Sequence, residues 1–543
     1  MKIKKMKVKE NNQFYFDSQK KFIETKNKTI KKKSYLNQKL ILLFILLFSL
    51  IFLFRFEKGN TAEYHQKENE INFDINSKNS KYEEEFKDKN TICDQIDPIY
   101  LLKQRIDKGP IIICSGKKSK HICYQNTNNH NNNIYAYKNG VICTMENIIL
   151  DPSQSRQSGL SYADGPVDSS HQGFPLLNKG FFNAECKNNE GVSFVYNNIY
   201  KTYFNSWNYE YNLEKEEDKL DELAPGKIVF FISRNQDSPN LFHGNSEIIN
   251  VLAMIYLFNL NPEDIQVVFL ESIEIPYYTK ENSENKDIPR DPFYDIYKKM
   301  ISRGGEPIYI KNLKKKYKIS KAIHVPINWD SPLYIDVDIP QCESSTKAYK
   351  LYNDFVDKYM DITTFKDTFI SDNEIFYYPE SILKNHEANI KFDKIVTIQW
   401  RRVWPKKRRG QFRILNNGPQ LTDKLASALP KNVLVRLINN AKLTMEEQIS
   451  LMRNTDYLIG IHGAGLSLSM FLPHNSIYNE LHYSKSSKNR SVLSLMSALS
   501  GHKTYDDYVN NKIDKVDGNE MVSFDEDEFV QVVLKNMKEN NFI

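Results

Sequence analysis

A glycine-containing segment at residues 460–473, GIHGAGLSLSMFLP, has the composition of a phosphate-binding turn. It follows an apolar run at residues 456–459 that is typical of a buried strand, and it opens a short predicted helix. Glycines at such a turn let backbone N–H groups approach an anion closely, beside the positive N-terminus of the helix. Tight packing is the competing explanation for such glycines. The residues of this glycine loop that we predict to bind the anion are His462, Gly463, Ala464, Gly465 and Leu466.

His462 makes the phosphate-binding interpretation stronger than the packing one. Its imidazole has no apolar face to complete here, whereas it can hydrogen-bond a diphosphate or a sugar hydroxyl. Glu480 lies at the end of a second predicted strand, at residues 477–481. The order of strand, glycine turn, helix, strand and carboxylate suits a nucleotide sugar, with Glu480 accepting hydrogen bonds from ribose or sugar hydroxyls.

An arginine-rich segment follows another predicted strand, at residues 395–400. Guanidinium groups bind diphosphate oxygens bidentately, so we predict donor contacts from Arg401, Arg402, Arg413 and the nearby Asn416. A solvated basic run is the alternative, and it is the interpretation we prefer for Lys406 and Lys407.

Two aspartates offer a different way to neutralise a diphosphate. Asp336 and Asp338 have the Asp-x-Asp spacing that holds a divalent cation, but they lie outside both motif clusters. We therefore expect an exposed edge strand there and no metal cofactor.

His243 and Glu247 are the candidates for a general base. They are spaced i, i+4 at the start of a predicted helix, so their side chains project from one face toward the same point. Either group could remove a proton from an acceptor hydroxyl, or Glu247 could orient His243. A helix cap or a structural hydrogen bond is the alternative.

These motifs resemble the signature of glycosyltransferase family 61, whose members include xylosyltransferases and N-acetylglucosaminyltransferases. The resemblance rests on the glycine loop followed by FLP and Glu480, on the arginine segment ending at Asn416, and on the segment from Asn240 to Glu247 with the following Asp-Pro-Phe at residues 291–293. It covers roughly residues 233–543 and implies an inverting, metal-independent transferase that uses a UDP-sugar, either UDP-xylose or UDP-N-acetylglucosamine. The acceptor would be a glycan or glycoprotein.

The chain departs from the family pattern at two points. Ser467 and Leu468 stand where relatives commonly carry Thr and Asn, so the donor sugar cannot be transferred from the family. Trp404 and Pro405 interrupt the arginine segment, which leaves open which arginine contacts the diphosphate.

Strands and helices alternate from residue 227 onward, which favours parallel sheets with crossover helices. With the resemblance, this predicts an α/β fold of two Rossmann-like lobes with a central cleft, called GT-B. We place the acceptor-side lobe at residues 91–385 and the nucleotide-sugar-binding lobe at residues 386–543. A catalytically inactive, membrane-anchored glycan-binding protein of the same fold is the alternative function.

The net charge of +6 on the 543-residue chain is unevenly distributed. Residues 1–39 contain 13 Lys and three acidic residues, about +10, which leaves about −4 for the remainder. A duplex-binding protein would concentrate Lys and Arg on its folded part. Nucleic-acid binding is therefore not expected.

An uncharged apolar run follows this basic tail at residues 40–54. As a helix it spans about 22 Å, and flanking residues extend a predicted transmembrane anchor to residues 40–56. The long leader and the lack of a small-x-small cleavage site favour an anchor over a cleaved signal peptide. The basic tail then faces the cytosol, a type II topology, and the polar residues 57–90 form a lumenal stem.

The lumenal part provides two further expectations. Asn489 lies in the one N-glycosylation triplet that we find there. The C-terminus lacks an ER-retrieval tetrapeptide, so we expect the Golgi membrane in preference to the ER membrane.

All six cysteines lie beyond the predicted anchor, where disulfides can form. Five of them fall between residues 93 and 186, so we expect this stretch to be held by disulfides in place of a hydrophobic core. Six cysteines allow fifteen pairings, and the sequence does not select one.

Overall fold

The structure is a computed structural model, and it describes part of the chain. The described residues are 91–125, 141–156, 176–189, 203–233, 240–270, 293–326, 333, 338–371, 375–402, 413–440, 443–483, 491–516 and 519–543. The predicted tail, anchor and stem lie outside these ranges, as do Asn489, Asp336 and the Trp404–Pro405 interruption. No helix within the described ranges is long and apolar enough to cross a bilayer.

The strands in chain order are β1 (Ile111–Ser115), β2 (Lys120–Tyr124), β3 (Ile142–Leu150), β4 (Ser155–Arg156), β5 (Leu176–Leu177), β6 (Phe182–Asn183), β7 (Lys187–Asn188), β8 (Trp207–Asn208), β9 (Ile228–Ile232), β10 (Ile265–Phe269), β11 (Ile308–Tyr309), β12 (Tyr317–His324), β13 (Phe376–Tyr377), β14 (Lys394–Gln399), β15 (Ile414–Leu415), β16 (Val433–Ile438), β17 (Tyr457–Ile461), β18 (Ile477–His482), β19 (Lys503–Tyr508), β20 (Asn511–Val516) and β21 (Asn519–Phe524).

The α-helices are α1 (Ile92–Gln95), α2 (Pro98–Asp107), α3 (Leu241–Leu257), α4 (Tyr294–Ile296), α5 (Lys347–Tyr359), α6 (Glu380–Glu387), α7 (Gly418–Ala428), α8 (Met445–Arg453), α9 (Val492–Leu499) and α10 (Glu526–Glu539). A π-helix at Tyr297–Ile301 continues α4, and a 3₁₀ helix at Ala464–Phe471 follows β17.

The first large sheet has the strand order β11-β10-β9-β12-β3-β2-β1-β7. Strands β9 to β12 are mutually parallel, whereas β3, β2 and β1 continue the sheet in antiparallel fashion. Strands β9 and β10 are buried along their whole length, and every residue of the two except Gln266 is apolar, as expected for parallel strands covered on both faces. Helix α3 is largely buried and connects β9 to β10.

The second large sheet has the order β13-β16-β14-β17-β18-β19 and is parallel except at β13. Strands β16, β17 and β18 are buried throughout. The C-terminal part of the chain also contains a small sheet, with the strand order β15-β21-β20. Each large sheet contributes its own cluster of buried apolar side chains.

The predicted mixed α/β class is therefore confirmed, and most predicted elements are present within a few residues of their expected ends. The predicted helix at residues 347–359 coincides with α5. The assignment to the GT-B class and the lobe boundary near residue 386 stay predictions.

Three disulfides join the six cysteines: Cys93–Cys342, Cys114–Cys186 and Cys123–Cys143. The expectation that disulfides replace a hydrophobic core here was wrong. Strand β3 lies within the first sheet and is largely buried, so this stretch has both the bridges and a core. Its short strands are separated by long polar connections, which hid the periodicity in the sequence.

Candidate anion-binding site

The carboxyl ends of β14 and β17 bring the arginine segment and the glycine loop together. The two strands are adjacent and parallel, with Gln399 opposite Gly460. Arg401 follows β14 and His462 follows β17, so both lie at the same edge of the sheet. Arg401 Nη1 donates a hydrogen bond to the carbonyl oxygen of His462 at 3.1 Å.

Arg401 and Arg413 are two neighbouring cations for which the described residues provide no carboxylate partner. Burial, followed by the charge of Arg413, lowers the pKa of Arg401 to about 10. Arg413 Nε is buried and has no hydrogen-bond partner within the described ranges, where neither guanidinium forms an ion pair. Arg413 also has a φ of 63°, which is uncommon for a residue other than glycine. An anion between the two groups would relieve both their repulsion and their loss of hydration.

Gly463 is required by space and not by backbone conformation. Its φ of 175° is extended and accessible to any residue. A Cβ at this position, however, would lie 1.9 Å from Arg401 Nη1. At Gly465 a Cβ would lie 2.0 Å from Gln399 Nε2. The glycines therefore let side chains from β14 cross the start of the 3₁₀ helix that contains Ala464 and Leu466.

Glu480 lies behind His462 and does not face a ligand. Its side chain is fully buried, and Oε1 is hydrogen-bonded to His462 Nδ1. Oε2 accepts from the hydroxyls of Tyr478 and Ser494, each at 2.9 Å. This placement does not fit the direct sugar contact expected from the sequence, because both carboxylate oxygens are engaged within the protein.

A second carboxylate and a second imidazole lie next to Glu480. Asp506 is opposite Glu480 in register on β19, and its Oδ1 is also hydrogen-bonded to Ser494. His482 Nε2 lies 3.3 Å from Asp506 Oδ1 and 3.8 Å from Glu480 Oε1. Sequence reasoning missed this group, although the spacing of Glu480 and His482 on one strand already places them on the same face.

Two of the predicted donor-binding residues point elsewhere. Arg402 is exposed, and its guanidinium stacks over the ring of Trp400 at 4.3 Å. The exposed Asn416 donates from Nδ2 to Ser523 Oγ at 3.0 Å, toward the small sheet. These contacts account for both side chains without a nucleotide.

His243 and Glu247 occupy the first two turns of α3, which Asn240 caps by accepting from the amide of Phe242. Glu247 is 2% exposed and accepts a hydrogen bond from the Tyr297 hydroxyl, whereas His243 is half-buried. The expectation that both groups reach the same open point does not fit this burial, because the Glu247 carboxylate faces the protein interior.

A buried polar contact connects α3 to the 3₁₀ helix of the glycine loop. Asn245 Nδ2 donates to Ser467 Oγ at 3.1 Å, and Asn245 Oδ1 accepts from the Tyr352 hydroxyl at 3.0 Å. Asn245 and Ser467 are fully buried. Ser467 is one of the positions where the chain departs from the family pattern, which was the only sequence signal for this contact.

Two groups of metal-ligand residue types lie close together within the described ranges. They are His121 with Cys123 and Cys143, and Glu480 with His482 and Asp506. The two cysteines are joined in a disulfide, so they offer no thiolate. The carboxylate oxygens of Glu480 already accept hydrogen bonds, and we interpret that group as a hydrogen-bonded network. Asp338, the described member of the Asp-x-Asp pair, is exposed.

The cationic site lies at the carboxyl ends of adjacent parallel strands, which is where open α/β sheets bind their ligands. Residues 297–478 match the family model described as Glycosyltransferase 61. This segment is thus a glycosyltransferase 61 domain, which confirms the family that the sequence motifs resemble. The match contains Arg401 and the glycine loop, while His243 precedes it and Glu480 follows it. No curated protein matches the chain.

Proposed function

We propose that the protein transfers a sugar from a UDP-sugar, either UDP-xylose or UDP-N-acetylglucosamine, to a glycan or glycoprotein acceptor, with inversion and without a metal ion. The observation that carries this proposal is the pair of guanidinium groups of Arg401 and Arg413. Arg401 contacts the residues at the start of the glycine-loop helix, Arg413 interacts electrostatically with Arg401, and neither has a counter-ion in the described part of the chain.

Departure of the nucleoside diphosphate creates the charge that this site would stabilise. Negative charge grows on the β-phosphate as the glycosidic bond breaks, and fixed donors already aimed at it lower the barrier. Arg401 and Arg413 supply positive charge, and the glycine loop supplies backbone N–H groups as hydrogen-bond donors. In this proposal the two large sheets are the cores of two GT-B lobes, with the donor beyond the strand ends of the second.

We assign the general base to His243. Its imidazole is half-buried at the first turn of α3, whereas the Glu247 carboxylate is buried and held by Tyr297. A base must come within hydrogen-bond reach of the acceptor hydroxyl. Glu247 then stabilises the packing of α3 on the π-helix and leaves proton removal to His243.

The proposed setting is the lumen of the Golgi. The predicted anchor at residues 40–56 gives a type II topology and residues 57–90 form the stem, with N-glycosylation at Asn489. All three lie outside the described residues, so the support for this setting is the sequence pattern alone.

A transfer assay tests the proposal. Full-length protein in detergent is incubated in EDTA with labelled UDP-xylose or UDP-N-acetylglucosamine and a glycan array. We expect wild type to transfer sugar from one of the two donors. In His243→Asn, turnover should fall about 10²- to 10⁴-fold, while the affinity of this variant for UDP stays within about twofold of wild type. His386→Asn, at an exposed histidine on α6 that stacks on Phe369, is the matched control.

Three results would contradict parts of the proposal. Unchanged turnover in His243→Asn would remove His243 as the base. Activity that requires added manganese would favour Asp336 and Asp338. UDP binding without transfer to any acceptor would favour the inactive glycan-binding alternative.

A further inference from the structure

The Glu480 carboxylate fixes the proton on one ring nitrogen of His462. Burial opposes ionisation of Glu480, but the hydrogen bond from His462 and the charges of His462 and His482 outweigh it, so the pKa of Glu480 lies below its ordinary value. An ionised carboxylate only accepts hydrogen bonds. His462 Nδ1 faces this carboxylate and therefore carries a hydrogen.

The other ring nitrogen, Nε2, lies at the accessible edge of the imidazole. The His462 side chain is 32% exposed, whereas the Glu480 side chain that it contacts is 0% exposed. Nε2 has no hydrogen-bond partner among the described residues and is not one of the buried polar atoms, so it is the ring nitrogen open to a ligand. The backbone carbonyl of the same residue accepts from Arg401, so His462 adjoins the proposed diphosphate site.

Ionised diphosphate oxygens accept hydrogen bonds and do not donate them. A neutral His462 that keeps its proton on Nδ1 would direct a lone pair from Nε2 at the phosphate, which is repulsive. A hydrogen bond from Nε2 requires a second proton on the ring, and the Glu480 carboxylate stabilises the resulting cation.

We propose that Glu480 is a positioning residue that makes His462 a proton-dependent ligand of the diphosphate: UDP binding transfers a proton from the buffer to His462 Nε2 while Nδ1 stays hydrogen-bonded to Glu480. This inference rests on the proposed function, since it requires that the site binds UDP.

The surrounding charges make this protonation depend on the ligand. Without UDP, the guanidinium groups of Arg401 and Arg413 oppose a third positive charge beside them, and the charges of a bound diphosphate reverse this effect. Glu480 is the one carboxylate in direct contact with the ring in the described structure.

Further charged and titratable groups lie behind the ring. His482 stacks on His462 with ring centroids 6.1 Å apart. Burial lowers the pKa of His482, but its hydrogen bond to Asp506 and the charges of Glu480, Asp506 and Asp507 outweigh this and raise it. The hydroxyl of Tyr478 donates to Glu480, and Tyr483 interacts electrostatically with Arg401. His482 thus has Asp506 as its nearer carboxylate, whereas Glu480 Oε1 is hydrogen-bonded to His462.

Calorimetric titration with UDP in two buffers of different ionisation enthalpy measures the protons taken up on binding. Wild type, His462→Gln and Glu480→Gln are compared between about pH 6 and 8, the range in which an imidazole titrates. The terminal phosphate of UDP also titrates there, and subtracting the His462→Gln value removes its contribution. Glu380→Gln is the matched control, at a glutamate whose side chain is 81% exposed.

We expect wild type to take up a larger fraction of a proton than His462→Gln at about pH 8, and this difference to shrink as the pH falls. Glu480→Gln should lose the extra uptake and bind UDP about tenfold more weakly. Equal proton uptake in wild type and His462→Gln, with UDP still bound, would overturn the inference alone, even if Glu480→Gln did not fold. Absence of UDP binding to folded wild type would overturn the proposed function and this inference with it.

Discussion

At the scale of single residues, the site depends on what surrounds each charged group. The sequence indicated that Arg401, Arg413 and His462 could meet a diphosphate, because residue type and position after a strand are visible in it. It did not indicate that Glu480 and Glu247 are buried, since burial depends on Ser494 and Tyr297, which are distant in the chain. A carboxylate near a motif is thus readily predicted, whereas the direction it faces is not.

The contact between Gly463 and Arg401 gives a prediction at this scale. Gly463→Ala places a methyl group where Arg401 Nη1 lies, so the guanidinium must move. We expect UDP affinity to fall about tenfold, as for loss of a charge-assisted hydrogen bond, with little change in melting temperature. In an Arg401→Ala background the same substitution should have no further effect. Additive losses in the double variant would show that Gly463 acts independently of Arg401.

At the scale of elements, strands and helices followed from periodicity, but their mutual packing did not. Buried apolar runs predicted β9, β10, β16 and β17, and the Thr444 to Glu447 capping box accounts for the start of α8. The contact between α3 and the 3₁₀ helix joins residues 222 positions apart, and a single sequence does not reveal such pairs.

This contact predicts energetic coupling between the two elements. Asn245→Ala leaves the Ser467 and Tyr352 hydroxyls buried without their partner, so we expect a loss of about 1–3 kcal/mol in the free energy of unfolding. Urea denaturation of Asn245→Ala, Ser467→Ala and the double variant measures it. The double variant should be less destabilised than the sum of the single ones.

A surface asparagine is the control for this cycle. Asn385→Ala, which removes a hydrogen bond to the Lys431 carbonyl, should change stability by less than about 0.5 kcal/mol. Strict additivity of Asn245→Ala and Ser467→Ala would argue against the coupling.

At the scale of the whole molecule, buried histidines make stability depend on pH. Burial, followed by the charge of the nearby His324, lowers the pKa of His121 to about 3. Burial lowers the pKa of His324 to about 3 as well. An unfolded histidine titrates near its ordinary value of about 6.5. Below that pH the unfolded state binds more protons than the folded state. The stability associated with these neutral buried histidines is therefore fully present above about pH 6.5 and is lost as the pH falls toward 3.

We therefore expect the free energy of unfolding to fall by up to about 1.4 kcal/mol per pH unit for each of these histidines between pH 6.5 and 4. His324→Phe keeps an aromatic ring against Tyr203 and should flatten this slope, as measured by urea unfolding at several pH values. His386→Gln, at an exposed position, should leave the slope unchanged. Equal slopes in wild type and His324→Phe would contradict the assignment.

The most direct test of the central claim is a calorimetric titration of the full-length protein with UDP in EDTA, comparing wild type with Arg401→Ala. Arg453→Ala is the control, because Arg453 pairs with Asp357 at the end of α8. The anion site predicts saturable binding to wild type and to Arg453→Ala, and binding weaker by about 10- to 100-fold in Arg401→Ala. Equal UDP affinity in wild type and Arg401→Ala, or no binding to the folded wild-type protein, would contradict it.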